Sequence, residues 1–393
     1  MSPSSRSGPD ACPGALRVHR AADGGLARVR LPGGVLRAEG LAALADAAAE
    51  WGDGHLELTS RGNVQLRGLP DGVEAELAAR LRDGGLLPSA THETVRNIVA
   101  SPLSGRDGRG LIDVRPLTRA LDAALCADPA LAALSGRFLF ALDDGRGDVV
   151  ALRADAALLA VAEDVFALVV AGRDSGVRVS PEGAEKALLD VARAFLRARG
   201  SEWRIKELDD PVAALAPHLP PPTADPRDVP RAPARPDIGP VRQLDGRTAL
   251  CALVPLGRLD PAPLRGRAEV VVTPWRTLAI PDLADVSDSF GLVADPASGW
   301  AGLTACAGRP GCAKALTDVR ADAARTRTDG AEDGALPVHW SGCERQCGRP
   351  AAAHVAVVAT EDGYEVRRGG EVRARGHDLA ATAASVARQR RNQ

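Results

Sequence analysis

The sequence predicts an α+β protein made of two halves that repeat one another. Three observations carry this. Residues 211–240 (PVAALAPHLPPPTADPRDVPRAPARPDIGP) form a proline-rich bridge, a composition that resists regular helix or sheet and reads as a semi-rigid linker. The segments on either side of it open alike: LELTSRGNVQLRGLP and VVVTPWRTLAIPDL share their register from Thr59 against Thr273, both reading strand, break, strand. Helical and alternating apolar patterns are mixed along both halves.

In the first half, residues 26–36 read as a strand ending in a Pro-Gly-Gly turn. Residues 40–51 follow as a helix, with Leu41, Leu44, Ala48 and Trp51 on one face, and then a strand over His55–Leu58. Further on, Pro181 to Arg199 is a helix, with Ser180 at its N-cap, Pro181 in its first turn and Gly200 past its end. In the second half, Thr248–Val254 is a strand and Pro255–Gly257 a turn. Strands are predicted at His354–Ala359, Tyr364–Arg368 and Glu371–Arg375, the last two joined through Gly369-Gly370.

At 393 residues and 45% hydrophobic content, the chain can fill two or three cores. A formal net charge of −2 offers no field for nucleic acid. Lysine occurs only at 186, 206 and 314, so 46 of the 49 basic residues are arginine, and a single arginine is a weak signal. The N-terminus (MSPSSRSGPDACPGALRVHR) has no apolar run of signal-peptide length. The most apolar stretch, 149–172, carries Arg153, Asp155, Glu163 and Asp164, which excludes an ordinary membrane span. A cytoplasmic protein is expected, without membrane or nucleic-acid partners, and as a monomer.

Four cysteines stand out: Cys306, Cys312, Cys343 and Cys347, spaced C-x5-C-x30-C-x3-C among Gly308, Gly311, Gly342 and Gly348. A cubane [4Fe-4S] cluster needs four convergent thiolates, and glycine lets backbone N–H groups approach sulfur closely. Zinc, buried thiols and disulfides remain alternatives on spacing alone, although zinc knuckles are usually tighter and disulfides need an oxidising compartment. Cys126 and Cys251 lie in apolar surroundings and read as core thiols. GRDGRG at 105–110 has the wrong glycine order for a dinucleotide fingerprint and reads as a loop.

The repeated halves, TSRGNVQLRG and the C-terminal cysteines together resemble the sirohaem-dependent sulfite and nitrite reductase superfamily over about residues 25–360. Within it, residues 11–34, RNIVASPLSGRDGRGLIDVRPL at 96–117, VTPWRTLAI at 272–280 and ACAGRPGCAKALTDVRADA at 305–323 look like the precorrin-3B synthase branch. The resemblance implies two pseudo-symmetric halves, each a ferredoxin-like half-domain followed by an α/β domain. The expected divisions are 15–90 and 91–210, the linker 211–240, then 241–300 and a cluster-binding domain at 301–393.

It also implies an activity: O2-dependent hydroxylation of precorrin-3A at C20 with γ-lactone formation, in aerobic cobalamin biosynthesis. Cys306, Cys312, Cys343 and Cys347 would ligate a [4Fe-4S] cluster, Cys347 also reaching a tetrapyrrole-associated iron. Arg61 and Gln65 match tetrapyrrole-site positions of the family's T-x-R-x-x-x-Q motif. Arg67, Arg96, Asn97 and Arg137 are further candidates for a cradle of the substrate's carboxylates, to which arginine is suited. Cys347, Arg61 and Arg137 are the catalytic candidates.

The branch is also expected to use an additional mononuclear iron, for which the scattered histidines show no facial-triad spacing. His339, four residues before Cys343, is expected beside the cluster. Electrons from NAD(P)H would arrive through a separate reductase or ferredoxin. Sulfite reductases carry a lysine-rich segment for their anion; in the matching LSGRFLFALDDG, Arg137 stands for the first lysine and Leu139 for the second. The alternatives are a sirohaem-dependent sulfite or nitrite reductase, and a non-catalytic tetrapyrrole or electron carrier.

Overall fold

The computed structural model describes residues 10, 12–232, 234–286, 288–327, 335–350 and 352–391. In chain order, the first half opens with β1 (His19–Ala21), β2 (Gly24–Val29), β3 (Val35–Arg37), α1 (Ala38–Trp51), β4 (Leu56–Leu58), β5 (Val64–Leu69) and α2 (Glu74–Asp83). It continues with β6 (Ile98–Ala100), α3 (Arg115–Ala127), β7 (Phe140–Asp143), β8 (Ala156–Ala162), β9 (Val165–Val170), β10 (Arg173–Val179) and α4 (Pro181–Ala198). A short α5 (Pro211–Leu215) follows.

The second half has β11 (Gly239–Arg242), β12 (Thr248–Leu253), β13 (Arg258–Leu259), β14 (Glu269–Val272) and β15 (Thr277–Leu283). It ends with β16 (Leu303–Ala305), α6 (Val319–Arg325), β17 (Val338–Ser341), β18 (Val355–Thr360), β19 (Gly363–Arg368), β20 (Glu371–Gly376) and α7 (Leu379–Arg390).

The two opening segments exchange strands. One sheet runs β1-β2-β5-β4-β13 and the other β11-β12-β15-β14-β3, so each takes its last strand from the other half. The registers match under the repeat: Arg258 lies opposite Glu57, and Val35 opposite Val271. One core serves both sheets, joining Leu41, Leu44, Leu56 and Leu66 to Leu250, Leu259, Val270 and Ile280. Leu41 and Leu44 fall on the inner face of α1 by helical spacing, with Ala48 a turn further and Trp51 at the rim. Each buried leucine of this kind contributes about 1.5–3 kcal/mol.

The break between the repeated strands is the same turn twice. The Thr59 N–H donates to the Asn63 carbonyl at 2.9 Å, and that of Thr273 to the Thr277 carbonyl at 3.0 Å. The Thr59 hydroxyl accepts from the Arg61 and Asn63 amides, and the Thr273 hydroxyl from those of Trp275 and Thr277. Gly62 and Arg276 take the left-handed position, at φ 66° and 59°. A glycine occupies the first for free; the arginine bears a strain of about 1–2 kcal/mol.

The α/β domains repeat as well. β6, β7 and β8 are parallel, with β9 and β10 added antiparallel; β16, β17 and β18 are parallel, with β19 and β20 added antiparallel. Helices α3 and α6 make the crossovers that parallel neighbours require. Phe138 packs on Phe140 and Phe195 in the first core, and Trp340 stands edge-on to Tyr364 in the last.

The linker departs from expectation at both ends. Pro211–Leu215 is helical because Asp210 caps the Ala213 amide and Pro211 fits the first turn. Gly239 and Pro240 already belong to β11. Between them the chain is tied along β10, where the Thr223 and Ala224 amides donate to the Gly176 carbonyl. Ser180 stands at the N-cap position of α4, but its side chain makes no capping bond. Cys251 is buried as expected, whereas Cys126 is only half-buried. No helix is long and apolar enough to cross a membrane among the described residues.

Candidate active site

The four cysteines lie in two loops leaving adjacent parallel strands. Cys306 follows β16, and its amide donates to the Trp340 carbonyl of β17 at 2.9 Å. Cys343 sits two residues past β17. Cys306, Cys312 and Cys343 are half-buried and Cys347 is exposed. The Gly342 N–H points at the Cys306 sulfur at 3.2 Å. A side chain at Gly342 would meet Ala315 at 2.6 Å, and one at Gly308, with φ +67°, would meet Val319 at 2.9 Å. Burial pushes the Cys306 thiol up, and the charges of Cys347 and Cys343 add to this against N–H bonds from Gly342 and Gly308. A cationic group would reverse that balance.

A Cys306 sulfur that meets backbone N–H groups and feels the charges of Cys343 and Cys347 fits thiolate ligation of an iron–sulfur cluster. Among the described residues no three His, Cys, Asp or Glu side chains gather around one metal ion. The same observation leaves the expected mononuclear iron without a protein ligand set among these residues.

His339 holds the second loop. It is fully buried; its Nε2 faces the Cys347 carbonyl at 3.1 Å and its Nδ1 the Thr304 hydroxyl at 2.9 Å. Burial, with Arg276 nearby, pushes its pKa down to about 4, so the ring is neutral. The carbonyl requires a donor, which places the proton on Nε2 and makes Nδ1 the acceptor.

Three arginines fix the cysteine loops from outside. Arg67, buried, makes a paired contact with Asp23 at 2.9 and 3.0 Å and donates to the Gly311 carbonyl at 2.5 Å. Arg320 donates to the Cys306 carbonyl at 3.3 Å and to Glu57 at 2.5 Å. Arg276 reaches the Gly348 carbonyl at 3.5 Å. Arg67 thus sits beside the loop of Cys312, with its Nε and Nη2 groups engaged.

A polar row crosses the first sheet on the face away from the core: Arg28 of β2, Gln65 of β5, Glu57 of β4 and Arg258 of β13 are consecutive register partners. Arg28 donates to the Gln65 carbonyl oxygen at 2.9 and 2.5 Å, and Gln65 to Glu57 at 3.4 Å. Glu57 also binds Arg320, so the row runs from the arginines to the cysteine loops.

At the Arg28 end, basic groups cluster. Arg30 donates to the Thr94 and Gly136 carbonyls, both at 3.1 Å, and Arg61 to the Arg137 carbonyl at 3.1 Å. The Arg137 guanidinium lies over Trp203, 4.7 Å from the ring centroid. Burial and Arg28 push Arg30 down to about 9; burial and Arg204 push Arg61 down to about 10. Among the described residues Arg28, Arg30 and Arg61 form no ion pair. Desolvated cations without counterions are costly, and an anionic ligand relieves that cost.

The predicted residues therefore divide. Arg61, Gln65 and Arg137 meet at this wall, and Arg67 belongs to the cysteine loops. Arg96 and Asn97 do not join them: Arg96 is buried in a two-bond contact with Asp122, both at 2.7 Å, plus the Leu86 carbonyl, and Asn97 is locked between Asn63 and the Phe138 carbonyl. Both hold the domains together, because their polar groups are already satisfied inside the protein. Arg28, Arg30, Glu57, Arg276 and Arg320 were missed. The period-two phase linking Arg28, Gln65 and Glu57 to one face is the signal that could have found them.

The repeat supplies an internal control. The row equivalent to Arg28–Gln65–Glu57–Arg258 is Cys251–Ala279–Val271–Val35, by the same pairings. Cys251, Ala279 and Val271 are buried with Leu103 packed against them. One face of the repeat is polar and the other is closed.

Ser101 is the counterpart of Cys306. Its amide donates to the Leu142 carbonyl at 3.1 Å, and its hydroxyl accepts from the Asp144 amide at 3.1 Å. In place of thiols, the fully buried Asp143, Asp144 and Asp148 gather there, with Arg146 bonding Asp144 and Asp107. Burial, then Asp143, pushes Asp148 up to about 8 from 3.8, and its Oδ2 has no hydrogen-bond partner. The folded pKa exceeds the unfolded one, so this group's contribution to stability falls from about pH 4 to pH 8 and is flat above. Asp148→Asn is expected to remove that fall, raising the urea midpoint relative to the parent at pH 9 more than at pH 5. A difference independent of pH would refute the assignment.

The profile described as nitrite/sulfite reductase ferredoxin-like half domain matches residues 18–84. The chain is 28% identical to a ferredoxin–nitrite reductase of Synechococcus elongatus, over 88% of this chain and 78% of that protein. It is 29% identical to a precorrin-3B synthase of Sinorhizobium sp., over 90% and 81%. The solved structure of the Mycobacterium tuberculosis NirA protein superposes with a TM-score of 0.72 at 22% identity, covering 88% of this chain and 75% of that one, which shows a shared fold. With a match to the ferredoxin-like half-domain at 18–84 and a strand-exchanged copy of it after the linker, the chain shares the NirA fold and is similar in sequence to both a nitrite reductase and a precorrin-3B synthase.

Proposed function

We propose that the protein is a precorrin-3B synthase, an O2-dependent monooxygenase that hydroxylates precorrin-3A at C20 with γ-lactone formation. The observation that carries the reading is the wall of Arg28, Arg30, Arg61 and Arg137, short of counterions and joined by a polar row to the four-cysteine loops. A macrocycle rimmed with carboxylates is the complementary ligand, since guanidinium forks match carboxylates geometrically. One atom of O2 enters the product and the other leaves as water, with two electrons and two protons from a separate donor, a ferredoxin or an NAD(P)H-dependent reductase. A [4Fe-4S] cluster, when bound by Cys306, Cys312, Cys343 and Cys347, supplies those electrons singly. The protein's own residues bind and orient: Arg28, Arg61 and Arg137 the carboxylates, and Arg67, Arg320 and His339 the cysteine loops.

A second reading, reduction of nitrite or sulfite at sirohaem, is favoured by the comparable similarity to a ferredoxin–nitrite reductase. Against it, Leu139 is buried among Val99, Ala141 and Val149, and no lysine joins the wall. Reduction of a small oxyanion needs cations and a proton supply at that face.

The test is isotopic. Anaerobically reconstituted, reduced protein given precorrin-3A and labelled O2 is expected to yield a hydroxy-lactone with one labelled oxygen atom. No incorporation, together with copurifying sirohaem and nitrite or sulfite turnover, would establish the second reading. For Arg61→Ala, weaker precorrin binding is expected, by about 10-fold or more, with the cluster's visible spectrum unchanged.

A further inference from the structure

The arginine wall already holds one carboxylate, and it comes from the protein. Asp10 reaches in from the N-terminal segment. Its Oδ2 accepts from the Ser135 hydroxyl at 2.6 Å; its Oδ1 accepts from the Cys12 amide at 3.1 Å and lies 3.9 Å from Arg137 Nε. The side chain is only 15% exposed. The Ser135 hydroxyl in turn accepts from the Arg137 amide at 3.1 Å. The charge of Asp10 is felt by Arg28 and Arg30, which have no ion pair among the described residues. Its own pKa is lowered: burial opposes this, and the bonds from Ser135 and Cys12, with Arg137, outweigh it.

The anchoring of the segment is uneven. Residues 14–16 are fastened by main-chain bonds. The Gly14 carbonyl accepts from the Arg28 amide at 3.3 Å, and the buried Glu93 carboxylate accepts from the Ala15 and Leu16 amides at 2.7 and 2.9 Å. A side chain at Gly14 would collide with that carboxylate. Asp10, by contrast, is held across the site, among the described residues, through its carboxylate, by contacts that any carboxylate can make. The segment is therefore pinned at one end and attached at the other by an exchangeable group.

We infer that Asp10 is an internal stand-in for a substrate carboxylate: Ser135, Arg137 and the neighbouring Arg28 and Arg30 form a subsite that takes one rim carboxylate of a tetrapyrrole, which displaces Asp10 on binding. The inference rests on the reading of the wall given above. Its consequence is a tax on affinity, because a site occupied by its own side chain about nine-tenths of the time binds about tenfold more weakly than the open site. Polycarboxylates can displace Asp10 where a lone monocarboxylate cannot, since their other groups engage Arg61 and Arg28 at the same time.

The probe is uroporphyrin III, an octacarboxylate tetrapyrrole, titrated against the full-length protein and followed by its fluorescence. Asp10→Asn, which keeps the shape and removes the charge, is expected to lower the Kd about tenfold. Asp10→Ala is expected to act in the same direction, and thermal melts establish that both variants are folded. Arg61→Ala is expected to raise the Kd. If both Asp10 variants bind as the parent does, or more weakly, while Arg61→Ala weakens binding, then Asp10 only fastens the N-terminus; the stand-in is overturned and the wall survives. If Arg61→Ala and Arg28→Ala also leave the Kd unchanged, the wall is not the tetrapyrrole site, and both readings fall.

Discussion

Serine in place of Cys347 is expected to remove the cluster and with it more than about 100-fold of the activity, while the fold stays intact. The magnitude follows from the loss of a thiolate ligand, since disturbing even the groups around a metal ligand costs about 10–100-fold. The intact fold follows from how the loop is held. The Cys347 carbonyl, not its sulfur, is bound by buried His339, and Arg276 reaches the next carbonyl, that of Gly348. The exposed sulfur itself packs in no core. Anaerobic reconstitution should give a variant lacking the cluster's visible absorbance and reduced-state paramagnetic signal, with unchanged circular dichroism. Full absorbance and full turnover would remove Cys347 from the ligand set.

Alanine in place of Gly34 is expected to prevent folding or to leave a protein too unstable to purify. Gly34 has φ +74°, and an added Cβ would overlap the Val272 carbonyl oxygen of the exchanged sheet. The backbone part costs about 1–2 kcal/mol, and forced repacking typically a further 1–3. That backbone contact is not the far end of a flexible side chain, so little can yield, and total stability is of the order of 5–15 kcal/mol. Gly54 is the matched control: its φ is +79° and nothing lies within 4 Å of an added Cβ. Gly54→Ala should lose only the backbone part, read as a small shift in urea midpoint. Equal effects at the two glycines would show that strain alone, and not the meeting of the halves, limits position 34.

What the sequence disclosed depended on distance along the chain. The turn at Thr59 and its copy at Thr273 were legible because their bonds close within five residues. Helices α1 and α4 were legible by their spacing, and the cysteine pairs by theirs. The exchange of β3 and β13 was hidden, because strand partners more than 200 residues apart leave no local mark. Arg28 was hidden by abundance among 46 arginines, and its role depends on which face of β2 it takes. Arg96 and Asn97 were drawn in by neighbourhood to a matching motif, yet their side chains turn inward to Asp122 and Asn63. The linker's helix was masked by its prolines, although Asp210-Pro211 is itself a helix-start signal.

The exchanged strands bear on how the molecule is made. During synthesis, the outer edge of β4 has no partner until Arg258 and Leu259 have left the ribosome, and β3 has none until β14 follows. The first half is thus born with an open edge and a dangling strand that fit each other in reverse. Two identical copies of such a half satisfy both by trading strands, giving a symmetric homodimer with two equivalent faces. Joined in one chain, the two halves need not be identical, and their faces are free to differ. Here one face carries Arg28, Gln65 and Glu57, and the other is filled by Cys251, Ala279 and Val271.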